Sequence, residues 1–107
     1  MVIAIKQLAN GQLPSTVGDL YTVPAGTTAI IKSISLVNTN TSDETINLYV
    51  LKSGGTRRRI IPKNMTFYVQ YMTVVDDEIT LEAGDKIQGD TTTASKVDYV
   101  VSGVTNV

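Results

Sequence analysis

Three consecutive carboxylates, Asp76, Asp77 and Glu78, are the nearest this chain comes to an acid/base pair. Two carboxyl groups flanking a glycosidic bond can protonate a leaving group and activate a water. Consecutive residues of a strand or turn point to opposite faces, however, and nothing apolar is placed to raise one of the pKa values. A calcium loop needs oxygens at alternate positions and a glycine turn, a pattern Asp76–Glu78 does not match. The trio reads as a solvated acidic turn. Glu82-Ala83-Gly84-Asp85 reads as a tight turn before a strand, with Gly84 at the positive-φ position. The chain has no histidine and no cysteine. Ser-His-Asp and Cys-His arrangements are therefore excluded, and zinc or copper would lose their usual ligands. Ser53-Gly54-Gly55-Thr56 lacks the spacing and the lysine of a phosphate-cradling loop. No catalytic residue, metal site or cofactor is expected, and the chain is not expected to be an enzyme.

Two other clusters stand out. Arg57-Arg58-Arg59, with Lys52 and Lys63 nearby, makes a locally basic segment. Arginine suits bidentate contact with carboxylates and phosphates. The run fits a solvated hairpin flank, an intermolecular salt-bridge site or, less well, a nucleic-acid backbone contact. Phe67, Tyr68 and Tyr71, with Met65 and Met72, form the densest group of large side chains. If residues 67–75 are one strand, alternation puts Phe67, Val69 and Tyr71 in the core and turns Tyr68 and Met72 outward. Arg57, Arg58, Arg59, Tyr68, Tyr71 and Met72 are the candidate interface residues.

The elements that must carry these groups are strands. Valine, isoleucine and threonine recur throughout, and β-branched side chains suit a pleated sheet. Turn chemistry returns at short intervals: Asn10-Gly11, Pro24-Ala25-Gly26, Asn38 to Glu44, Ser53-Gly54-Gly55, Pro62-Lys63-Asn64, Asp76 to Glu78, Ala83 to Asp85 and Gly89-Asp90. Thr45 to Val50 alternates, with Ile46, Leu48 and Val50 on one face. Ala29 to Val37 places Ile30, Ile34 and Leu36 together, with Lys32 as the exception. No stretch carries the apolar stripe of a long helix. About eight strands follow: Val2–Ala9, Leu20–Val23, Thr28–Asn38, Thr45–Lys52, Arg58–Pro62, Phe67–Val75, Ile79–Leu81 with Lys86–Gly89, and Lys96–Val104. Eight short antiparallel strands close as a two-sheet sandwich in jelly-roll order, or alternatively in immunoglobulin-like order. The 107 residues fit one such domain. Residues 1–9 could serve as an N-terminal arm or exchanged strand. Charged residues make up 18% of the chain, below the typical ~25%, as a subunit interface or a Thr/Ser/Asn-rich surface would explain. A net charge of −1 gives no pull toward nucleic acid or an acidic membrane. The apolar start is too short for a signal peptide, and no run approaches the ~20 apolar residues of a membrane span.

Several segments together resemble small structural proteins of tailed bacteriophages. They are Leu20-Tyr21-Thr22-Val23-Pro24-Ala25-Gly26-Thr27-Thr28-Ala29, then Ile30 to Ile34, Asn38-Thr39 and Leu48-Tyr49-Val50, then Leu81 to Ile87 and Val97 to Val104. The resemblance runs from about Gln7 to Val104 and specifies turns, not binding residues. It implies a β-sandwich made in the host cytoplasm and carried in the virion. The closest roles are a capsid decoration (cement) protein or a tail, collar or fibre component, including a carbohydrate- or receptor-binding module. It further implies contact with the major capsid protein or other virion subunits, and a homo-oligomer with a trimer favoured. Neither nucleic acid nor membrane is an expected partner.

Overall fold

The computed structural model describes residues 2–107, and among these there is no helix. Ten strands run in order: β1 (Ile3–Gln12), β2 (Gly18–Thr22), β3 (Thr28–Asn38), β4 (Glu44–Leu51), β5 (Arg57–Arg59), β6 (Met65–Phe67), β7 (Met72–Val75), β8 (Ile79–Leu81), β9 (Lys86–Thr91) and β10 (Val97–Asn106). Sheet A has the order β1-β10-β3-β7, with β8 also on β3. Sheet B has the order β2-β9-β4-β5, with β6 also on β4. All pairs are antiparallel.

The pairing is nested. The first strand pairs with the last, β2 with β9, β3 with β7 and β8, and β4 with β5 and β6. That is one long hairpin rolled into two sheets, the jelly-roll order, and the immunoglobulin-like alternative is set aside. Ten strands occupy eight positions because two positions are broken. Pro62, which cannot donate to a ladder, separates β5 from β6. The acidic turn Asp76–Glu78 separates β7 from β8, and Glu78 there pairs with Lys32 at 2.6 Å.

The core lies between the sheets. Leu13, Ile31, Ile34, Leu36, Ile46, Leu48, Ile87, Val97 and Val101 are fully enclosed in it. On β10 the odd residues face inward and the even residues face out.

Several sequence expectations change. Residues 67–75 are not one strand: β6 belongs to sheet B and β7 to sheet A. Alternation therefore does not carry across, and Phe67 is core while Tyr71 is exposed. Ile79–Leu81 and Lys86–Gly89 likewise lie in different sheets. On β3 the register against β10 jumps between Ser33↔Ser102 and Ile31↔Gly103, leaving Lys32 as the extra residue of a bulge. The bulge reverses which side faces the core, so Ala29 and Ile31 are buried below it, Ile34 and Leu36 above it, and Ile30 faces outward. Asn10-Gly11 and Gly89-Asp90 are strand, not turn. Both glycines are there for close packing. A Cβ on Gly11 would press on the Tyr99 ring, and one on Gly89 on the Asn47 carbonyl and Leu20.

Buried carboxylates pin the loops. Asp85 accepts from the N–H groups of Ser53 and Glu82, both at 2.9 Å, joining the β4–β5 hairpin to the turn before β9. These bonds hold its pKa below the ordinary aspartate value. Burial pushes Glu44 up, but bonds from Thr93, Asn40 and Thr91 outweigh it and leave the pKa lowered. On Asp19, bonds from Lys86 and Gln88 lower it too. A depressed folded-state pKa gives stability that is complete above the ordinary values of 3.8 and 4.5. That stability is lost as pH falls through the lower folded values. The thermal midpoint should therefore drop between about pH 5 and about pH 3, read by circular dichroism. A flat midpoint across that interval would refute this account.

Candidate assembly surface

The two outer faces of the sandwich are finished differently. On sheet B, β4 is central, and its outward residues Asn47 and Tyr49 are nonetheless buried, Tyr49 to 7% exposure. Side chains from neighbouring strands roof them over. The guanidinium groups of Arg57 and Arg59 sit 5.3 and 5.0 Å from the Tyr49 ring centroid, close enough for cation–π attraction. Arg59 Nη1 donates to Asn47 Oδ1 at 2.7 Å, and Asn47 Nδ2 donates to Asp90 Oδ1 at 2.8 Å. Arg57 Nε donates to Gln88 Oε1, whose amide in turn donates to Asp19. This face is a closed polar network.

The arginine run thus has a role within the chain. Alternation along β5 sends Arg57 and Arg59 onto Tyr49, while Arg58, opposite Val50, points the other way. Sequence reasoning placed all three as one patch. The missed signal was Tyr49, a large aromatic on the polar side of an alternating strand.

Sheet A is finished the other way. Its outer face carries Ile3 and Ile5 of β1, Val100 and Val104 of β10, Ile30 and Val37 of β3, and Met72 and Val74 of β7. Ile3, Ile5, Val37, Met72 and Val74 are exposed. A shallow groove of about 310 Å³ runs between Ile3, Ile30, Thr80 and Val104. Lys32, Ser33, Ser102 and Gln7 form a polar band between this apolar end and the Val37–Met72 end. Clustered exposed apolar side chains of this kind mark contact sites.

At the Met72 end the chain crosses between sheets through a turn. Tyr71 N–H donates to Tyr68 O, and Gln70 holds φ at 61°. Positive φ in a non-glycine residue is strained and is retained only where surroundings enforce it. Buried Asn38 does so, donating to the carbonyls of Phe67 and Tyr68. The turn displays Tyr68 and Tyr71 edge to face, ring centroids 5.7 Å apart, both exposed. The six candidate interface residues therefore split. Tyr68, Tyr71 and Met72 gather at one end of sheet A, while Arg57, Arg58 and Arg59 lie on sheet B.

The carboxylates Asp76, Asp77 and Glu78 are exposed on the β7–β8 turn. Among the described residues, no three Asp or Glu side chains are grouped to hold a metal ion.

No protein-family model and no curated protein matches the chain. Solved structures do. One is the structure of infectious bursal disease virus Gx strain, with 11% identity over 97% of this chain and 32% of that chain, at a TM-score of 0.54. Another is the Gt strain of the same virus, with 10% identity over 97% of this chain and 30% of that one, at a TM-score of 0.49. This chain thus spans about a third of the chains it matches. At such identity the likeness to the Gx-strain structure is one of fold, and it shows this chain to be an antiparallel β-sandwich of the kind found there.

Proposed function

We propose that this chain is a virion structural protein without enzymatic activity, and more specifically a capsid decoration (cement) protein of a tailed bacteriophage. Its work is to add contacts that hold the head shell together. Its partners are the major capsid protein or other virion subunits and further copies of itself. The observation that carries the reading is the unequal finish of the two sheets. One outer face is sealed by its own hydrogen bonds, and the other leaves large apolar side chains in water. A protein that acted alone would gain by covering them, since each buried large apolar side chain contributes roughly 1.5–3 kcal/mol. The resemblance to phage structural proteins and a fold shared with part of a virus structure point the same way.

A second reading places the chain in the tail, collar or fibre as a carbohydrate- or receptor-binding module. The exposed Tyr68–Tyr71 pair favours it, because aromatic faces stack on sugar rings.

One experiment separates the readings. Phage particles purified by density gradient should contain this chain in high, fixed stoichiometry to the major shell subunit, and antibody labelling should cover the head. Label confined to the tail would select the second reading. Absence of the chain from purified particles would overturn both.

A further inference from the structure

We infer that two copies of this chain join through their β1 edges, antiparallel, so that sheet A runs continuously across a two-fold axis. The inference deepens the assembly reading and rests on it for its purpose, but the geometry stands by itself.

The first argument is the backbone. Among the described residues, β1 has a ladder partner only on its β10 side. Val2 N–H donates to Val107 O at 3.0 Å, and Val107 N–H donates to Val2 O at 2.8 Å. Antiparallel ladders alternate, so Ala4 and Lys6 also turn their backbone groups toward β10. The N–H and C=O groups of Ile3, Ile5 and Gln7 therefore point out from the open edge.

The second argument is the contrast with the other edges. Exposed edges are usually blunted by shortness, charge, bulges or proline. The outer edge of sheet A at β7 and β8 comes as four and three residues parted by an acidic turn. The edge at β5 and β6 comes as two three-residue pieces parted at Pro62. β2 has five residues, a register shift between Asp19 and Tyr21, and an Asp19–Lys86 ion pair. β1 has ten residues. Its own irregularity, at Leu8, comes after Gln7 and leaves Ile3–Gln7 regular.

The third argument is the side chains. Ile3, 64% exposed, lines the Ile30–Val104 groove, and Ile5, opposite Val104 on β10, is 87% exposed. Two large apolar side chains exposed together on an open edge suit burial against a second copy. Charge then excludes one register, and apolar pairing selects among the rest. Lys6 is the only charged residue of β1. A two-fold axis at Lys6 would oppose like charges. An axis at Ala4 sets Ile3 opposite Ile5 of the second copy, twice, with Lys6 opposite Val2. The outward backbone groups of Ile3 and Ile5 then meet as hydrogen-bonded pairs. The resemblance to phage proteins implies a trimer; the edge geometry points instead to a two-fold pair.

The chain has no cysteine, so single-cysteine variants report contacts cleanly. Light scattering of the full chain should give a dimer mass. Mild oxidation of Ala4→Cys should give a covalent dimer, because opposed Cα atoms at a non-hydrogen-bonded pair lie within disulfide range. Val74→Cys, on the far edge, should stay uncrosslinked. Ile5→Lys should weaken association by about tenfold or more while leaving the thermal unfolding of the subunit near wild type. A monomer mass at all concentrations, a trimer mass, or a dimer indifferent to Ile5→Lys would overturn the pairing. None of those results touches the virion reading, which fails separately if purified particles lack the chain.

Discussion

Replacing Gly103 with alanine is expected to cost about 3 kcal/mol or more, a large share of the roughly 5–15 kcal/mol that keeps a domain folded. Gly103 sits on β10, the strand between β1 and β3, opposite Lys6 on one side and Ile31 on the other. The bulge at Lys32 carries the β3 backbone in toward it. A Cβ on Gly103 would collide with the carbonyl oxygen of Ile30 and lie 3.1 Å from Leu8 Cδ1. The first obstacle is backbone in a central strand pair, not the end of a flexible side chain. Relief would require β3 and β10 to part, breaking ladder bonds on both sides of the bulge. Gly26 is the control. Its φ of +74° strains an alanine, but nothing lies within 4 Å of a Cβ there, so Gly26→Ala should cost only about 1 kcal/mol. Urea unfolding followed by circular dichroism gives both numbers. Equal midpoints for the two variants would refute the steric argument. The effect should reach the assembly surface, because sheet A is continuous through this position.

Asn38→Ala should come next, at about 3 kcal/mol. Asn38 ends β3 and is 1% exposed. Its Nδ2 donates to Phe67 O at 2.9 Å, Ser42 O at 3.2 Å and Tyr68 O at 3.3 Å, and its Oδ1 accepts from Asn40 N–H at 2.9 Å. Its backbone N–H donates to Tyr71 O at 3.0 Å. One amide thus ties the β3–β4 loop to the crossing between sheets. Alanine would leave several partly buried groups unpaired, each a cost of order 1 kcal/mol or more. It would also release the turn that holds Gln70 at positive φ and presents Tyr68 and Tyr71. Asn38→Asp separates the hydrogen-bond account from simple loss of volume. A carboxylate there would face carbonyl oxygens and lie out of water, so its folded-state pKa would be raised. A group of that kind destabilises at neutral pH and relaxes as it protonates. Asn38→Asp should therefore regain stability on mild acidification, where the wild type does not. Urea midpoints at two pH values test this. An Asn38→Asp variant as stable as wild type at neutral pH would refute it.

Composition and turn chemistry alone determined the fold class. β-branched runs cannot settle into helices, and turn residues cut them to sandwich length. Pro24-Ala25-Gly26 and Glu82–Asp85 are turns as read, with Gly26 and Gly84 at positive φ. β3 and the buried inner face of β4 were legible because each is a long strand with one face against the core. The lack of histidine and cysteine had already removed the nucleophile triads and the usual zinc and copper ligands.

Only the tertiary structure decided the rest. Periodicity reports which side chains share a face of one strand. It says nothing of which sheet the strand joins or what lies over its other face. Residues 67–75 therefore read as one strand, although the chain changes sheets within them. A bulge shifts alternation by one without leaving a mark in composition, which hid Ile31 and exposed Ile30. The arginine run read as surface charge because the tyrosine it covers is several residues away in sequence and meets it only across the β4–β5 pair. Nested pairing, and with it the choice of jelly roll over the alternative, depends on contacts between the two ends of the chain, which no local pattern encodes. The lack of histidine and cysteine was legible residue by residue. The open, apolar outer face of sheet A exists only once the strands are side by side.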